Sequence, residues 1–252
     1  MNNKKATDFI LKAILLSIAI IPLIYYYQIK EVPIKIFILG TGSWGIGVIL
    51  KMVLHQLIIV PLQSKRKSTF LNSVVNGILS GITELFAAFF IITLMKNKIE
   101  FDFNAIISFG LAIGSLEILI VVFNKDKNIF KGTALENSSE KTLEYFRNST
   151  GIEYFILNFL LTIYERILAL LLHISTRGLV FVTIFTGSVV PIGIALLVFT
   201  ITDGPLAFYY HITGKLTTRK GIAELIFYLT VLTALSVFVF YNMSNPIKYL
   251  VL

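Results

Sequence analysis

Cysteine is absent from this 252-residue chain. Without it there is no disulfide, no thiolate metal site and no structural zinc of the cysteine type, so any metal has to be held by histidine and carboxylate. Charge is also scarce: charged residues make up 14% and hydrophobic residues 56%, whereas ordinary soluble domains are about 25% charged. This is the composition of a polytopic membrane protein. No internal repeat and no low-complexity tract is visible, and a transporter built from duplicated halves normally shows hydropathy symmetry, so that class is disfavoured. Acidic residues are the scarcer sign, leaving a net charge of +8. The basic excess falls in short connections between apolar runs rather than along one stripe, which excludes a nucleic-acid surface.

What is present is a series of long apolar runs. About 20 apolar residues cross a bilayer core of ~30 Å, and seven runs of that order can be placed, at 8–27, 34–62, 70–95, 105–123, 165–186, 189–211 and 222–242. The predicted fold is all-α, one transmembrane helical domain over 1–252. The first run follows Lys4 and Lys5 like a signal peptide, but it is too long and ends in Tyr25, Tyr26 and Tyr27 rather than a small-residue cleavage site. It is read as a span with an interfacial aromatic belt. In the second run "GTGSWGIG" precedes Lys51, His55 and Gln56, and its glycines predict a loosened, tilted or broken helix. Asp203-Gly204-Pro205 predicts a break or kink in the sixth, because proline removes a backbone donor and clashes with the preceding turn.

Basic residues orient the chain. With the N-terminus inside, the interior segments hold thirteen: Lys4 and Lys5, then 65–67, then Lys125, Lys127, Lys131, Lys141 and Arg147, then Lys215, Arg219 and Lys220. The exterior holds five, Lys30, Lys35, Lys96, Lys98 and Lys248. The positive-inside rule therefore predicts a cytoplasmic N-terminus, a cytoplasmic 124–153 loop and an exterior C-terminus.

Four ionisable groups fall inside predicted spans, each on a different one: Glu84, Glu117, His173 and Asp203. A charge inside hydrocarbon costs about 2.5–3.5 kcal/mol on insertion scales and is retained for a reason. If the polar faces turn inward, one shared water-accessible cavity holds all four, the place for a catalytic or ion-binding site; the alternative is that each acts only as polar glue between helices. His55 and His211, near span ends, read as interfacial. Small residues precede the acids, Gly77 and Gly81 before Glu84, Gly110 and Gly114 before Glu117. That spacing predicts close backbone approach. On "YERILALLLHISTRGLVF", Glu165, Arg166, His173 and Arg177 follow a slowly turning ridge. Arg166 is placed to snorkel to headgroups, His173 to be held toward Glu84 or Glu117, and Arg177 to balance the acids.

These stretches, in this order, resemble the YhfC family of bacterial membrane proteins, relatives of the CAAX-type and PrsW-type intramembrane metalloproteases. "ERILALLLHIS" is similar to the family's Glu-Arg pair followed by a membrane histidine, mapping onto Glu165, Arg166 and His173. In "GITELFAAFF", Glu84 matches the second of two family glutamates, Thr83 replaces the first and Ala87 replaces an arginine. "GLAIGSLEIL" keeps Gly114 and Glu117 but has Ile113 at a histidine position, and "FTITDGP" keeps Asp203 but has Phe199 at another. The resemblance implies a bacterial cytoplasmic membrane location and the seven-helix scaffold. With two imidazoles, one carboxylate and one guanidinium missing, it implies a catalytically degenerate member that binds another membrane protein or a hydrophobic peptide in an immunity or accessory role. The other readings are an active peptidase with Glu84 as base, Glu117 supporting it and His173 as ligand or oxyanion donor, and a transporter subunit with Glu84, Glu117 and Asp203 as ion relay. Catalytic positions are thus Glu84, Glu117, His173 and Asp203, with Glu165, Arg166 and Arg177 as binding positions. No metal site is assigned, and zinc is expected only if the site is active, since hydrolytic zinc needs three protein ligands.

Overall fold

The computed structural model describes residues 2–61, 69–123, 160–206 and 218–244. Those residues form seven helices and no strand: α1 (Asn2–Gln28), α2 (Ile34–Leu54), α3 (Thr69–Met95), α4 (Phe103–Phe123), α5 (Thr162–Thr186), α6 (Val190–Ile201) and α7 (Arg219–Met243). All but α6 are long and apolar enough to cross a membrane, and Val190–Gly204 is a shorter apolar helix. This is a multi-pass helical membrane protein. Exposed Phe, Ile, Leu and Val side chains on its outer faces, such as Phe86, Phe90, Leu197 and Phe238, are what lipid-facing helices require. The 124–153 segment and His211 lie outside the described residues.

Five helices close a ring in the order α2, α3, α6, α5, α4 and back to α2, with α1 packed outside against α4 and α7 outside against α5 and α6. Lipid is as apolar as leucine, so close packing rather than hydrophobic exclusion holds such helices together. Glycine supplies that closeness. A Cβ built on Gly110 would lie 2.6 Å from Ile174 Cα, and one on Gly47 would lie 2.9 Å from Glu84 Cα. Gly77 and Gly204 meet face to face: a Cβ on Gly204 would sit 2.5 Å from Ser73 O and 2.7 Å from Gly77 Cα. The obstacle there is backbone, so the helices have to part. Gly204→Ala and Gly77→Ala should each cost about 1–3 kcal/mol of stability, read as a lowered melting temperature in detergent. Gly42→Ala, which meets nothing within 4 Å, should be neutral or slightly stabilising, since alanine is the better helix former.

The glycine run of α2 does not break it. The helix is regular from Ile34 to Leu54, and the irregular turn comes later, a π-helical turn over His55–Ile59. Glycine alone removes no hydrogen bond, and packing on α3 and α4 through Gly40 and Gly47 holds the helix without interruption. At Asp203-Gly204-Pro205 the α-helical pattern gives way to a second π-helical turn, Thr202–Leu206, at the end of α6. α5 stops at Gly187, whose φ of 71° is the left-handed cap that glycine tolerates best.

The interior is divided along the helix axes. One half, near Val32, Phe101, Phe181 and Phe240, is a continuous aliphatic and aromatic core, including stacked Phe103 and Phe240 with ring centroids 5.9 Å apart. The ionisable groups of the interior run from the middle of the bundle, at Glu84 and Arg177, toward the end where α2, α4 and α6 finish and α3 and α5 begin.

Candidate functional site

Arg177 projects from α5 into the ring centre and is fully buried. Its Nη2 donates to Glu84 Oε2 of α3 at 2.6 Å, and its Nη1 donates to Thr176 Oγ1 at 3.0 Å. The guanidinium carbon lies 4.6 Å from the centroid of the Phe199 ring on α6, a cation–π contact that partly replaces lost hydration. Glu84 is almost as buried as its partner. A desolvated pair is tolerable only when geometry and further hydrogen bonds make up for lost water. Ser80 Oγ supplies one of these, 3.3 Å from Glu84 Oε1.

From Ser80 the network continues outward. Lys51 of α2 donates to Ser80 Oγ at 2.7 Å and to Asp203 Oδ2 at 2.9 Å, so one ammonium ties together three helices, α2, α3 and the end of α6. Lys51 and Asp203 are partly accessible, at 28% and 38% of their side-chain surface. This first arm therefore runs from an accessible pair to a wholly buried one.

A second arm lies between α4 and α5. Glu117 accepts from Arg166 Nη1 at Oε1, 3.0 Å, and pairs with His173 Nε2 at Oε2, 2.7 Å. Helices α4 and α5 run antiparallel here, with Gly110 against Ile174 and Gly114 against Leu170, and that register sets Glu117 beside both Arg166 and His173. Paired with Arg166, Glu117 is a carboxylate and only accepts, so ring Nε2 carries the proton. Arg166 and Glu117 are partly accessible, whereas His173 is 7% exposed. This arm too descends from an accessible end to a buried one.

Phe199 stands between the arms, its ring 6.0 Å from the His173 ring and 4.6 Å from the Arg177 guanidinium. Glu84, Glu117, His173 and Asp203 thus all take ion-pair or hydrogen-bond partners inside the bundle, as inward-turned polar faces require, but in two arms rather than one undivided cluster. The apolar side chain of Phe199 is the physical reason. Arg177 balances Glu84 and His173 is held to Glu117, as the ridge on α5 implies. Arg166 does not snorkel; a carboxylate within 3.0 Å outcompetes the headgroup region. Glu165 precedes it in the chain and forms no hydrogen bond or ion pair with either arm among the described residues.

Lys51 is the residue that sequence reasoning did not assign. Its signal was there, a lysine within a 25-residue span that had no stated partner, while Asp203 had no stated cation.

The donor set does not suit zinc. Among the described residues no three His, Cys, Asp or Glu side chains group at metal-binding range, and each acid of the site already holds a Lys, Arg or His. Two buried nitrogens, His173 Nδ1 and Arg177 Nε, lack a partner among the described residues. Comparison with protein-family models, with curated proteins and with solved structures gives no match.

Proposed function

We propose that this chain is a YhfC-like protein of the bacterial cytoplasmic membrane, N-terminus inside and C-terminus outside, that keeps the intramembrane-protease scaffold without its catalysis. It works by binding another membrane protein or a hydrophobic peptide, in an immunity or accessory role. The observation that carries this reading is the commitment of three of the four acids at the motif positions to basic side chains, Glu84 to Arg177, Glu117 to Arg166 and His173, and Asp203 to Lys51, Glu165 being the exception. A general base needs a free lone pair facing substrate, and carboxylates locked in bonds of 2.6–3.0 Å are scaffold rather than reagent. An ion relay across the bilayer is disfavoured because both arms open at the same end and stop at an apolar core.

One observation favours residual hydrolysis as the second reading. His173 is oriented by Glu117 in the manner of a carboxylate–imidazole base, and its other nitrogen is unpartnered.

The two readings separate on purified protein reconstituted in liposomes. The binding reading expects zinc far below one per chain, no cleavage of apolar reporter segments, and a discrete membrane partner retained after cross-linking in native membranes. Stoichiometric zinc, or cleavage abolished by His173→Ala or Glu84→Gln, would establish the peptidase instead.

A further inference from the structure

His173 Nδ1 and Arg177 Nε are both buried and both without a partner among the described residues. Buried polar atoms are nearly always satisfied, and an exception signals something that completes it. The two atoms are also complementary. With Nε2–H given to Glu117, the Nδ1 of a neutral ring is a lone pair and accepts; Arg Nε–H only donates.

Their placement brings them toward one region. His173 and Arg177 are i,i+4 neighbours on α5, so their Cβ atoms are about 5–6 Å apart. The Cδ2 edge of His173 faces α4, where a Cβ on Gly114 would lie 3.5 Å from it, and Nε2, on that same edge, reaches Glu117. Nδ1 is on the opposite edge and therefore turns away from α4, toward the ring centre where Phe199 stands between His173 and Arg177. A donor and an acceptor, each buried, flank one aromatic side chain.

We infer that this is a water site: water accepts from Arg177 Nε–H, donates to His173 Nδ1, and joins the two arms into one hydrogen-bonded circuit. A small group that both donates and accepts is what the pair requires, and an internal water needs two to four polar partners. The circuit then runs from Arg166 through Glu117 and His173, across the water to Arg177 and Glu84, and back through Ser80 to Lys51 and Asp203. It is U-shaped. Both ends are partly accessible at the same end of the bundle, and its bend abuts the closed apolar half. Water reaches the bend from that one end. The site holds whether or not the partner-binding reading does, because it rests on two unfilled hydrogen bonds.

Solid-state nitrogen NMR of the full chain in bilayers tests it. The chain has three histidines, so His55→Gln with His211→Gln leaves His173 as the sole imidazole; if that double variant does not assemble, the single variants identify the other two signals by their loss, and His173 is the remainder. The expected spectrum is that of a neutral ring protonated at Nε2, with magnetisation passing from water protons to a hydrogen-bonded Nδ1. An Nδ1–H tautomer, or an Nδ1 that receives nothing from water, overturns the proposal. Arg177→Lys, which keeps the cation but removes the Nε donor, should diminish the water transfer at Nδ1 by severalfold; undiminished transfer would mean that water there does not bridge to Arg177.

Discussion

Replacing Arg177 with methionine should destabilise the protein by about 3–5 kcal/mol, the cost of leaving one member of a buried ion pair uncompensated. Arg177 has no exposed side-chain surface and Glu84 has 7%, so neither can turn to water when the other is lost. Glu84→Leu should be comparably damaging, because the guanidinium would keep only Thr176 and the face of Phe199. The double variant Glu84→Leu with Arg177→Met should recover most of the loss, since a buried pair exchanged for apolar side chains of similar volume is often neutral. Unfolding of all four proteins in one detergent, followed by thermal melting and by denaturant, gives the coupling energy directly. Additive single effects would mean that the pair contributes little as a pair. A stable double variant that no longer retains a membrane partner would place that pair in recognition rather than in folding.

Glu117→Ala should have the next largest effect, about 1–3 kcal/mol, because it strands a buried imidazole and an arginine together. His173 would lose its only hydrogen bond among the described residues, since Nδ1 has none there. Arg166 would suffer less. It lies in the first turns of α5 with a fifth of its side chain accessible, and with Glu117 gone it can extend toward headgroups. Arg166→Ala is accordingly expected to cost less than Glu117→Ala, and His173→Ala to cost about as much as Glu117→Ala. The reverse order, with Arg166 the most costly, would show that Glu117 is held mainly by the guanidinium and that the histidine only fills space. Melting curves and expression levels of the three single variants decide the ranking.

The α5 ridge shows how far a sequence can be followed and where it stops. Spacing of i,i+4 places His173 and Arg177 on neighbouring positions of one face, about 16 Å and less beyond Arg166 at 1.5 Å per residue. It does not say which acid each will meet. Glu84 and Glu117 were equally available partners for His173, and any of the acids for Arg177, because their helices are separated by tens of residues and the sequence carries no term for which helices become neighbours. The register of α4 against α5, set by Gly110 and Gly114, chose Glu117 for His173. The position of Gly47 against Glu84, with Lys51 one turn farther on, directed Lys51 to Ser80 and Asp203.

Sequence by itself determined the helical membrane class, the places of the seven helices over the described regions, with only the start of α1 off by six residues, the irregular turn around Pro205 and the identity of the buried ionisable groups. Each is a local property: run length, backbone chemistry, or a charge too costly to place in hydrocarbon without a reason. The pairing of those charges, the part played by Lys51, the continuity of α2 through its glycines and the barrier at Phe199 were decided only by tertiary structure. They depend on which helix backbones approach within touching distance, and that is settled by the sum of contacts around the five-helix ring rather than by any residue's own preference.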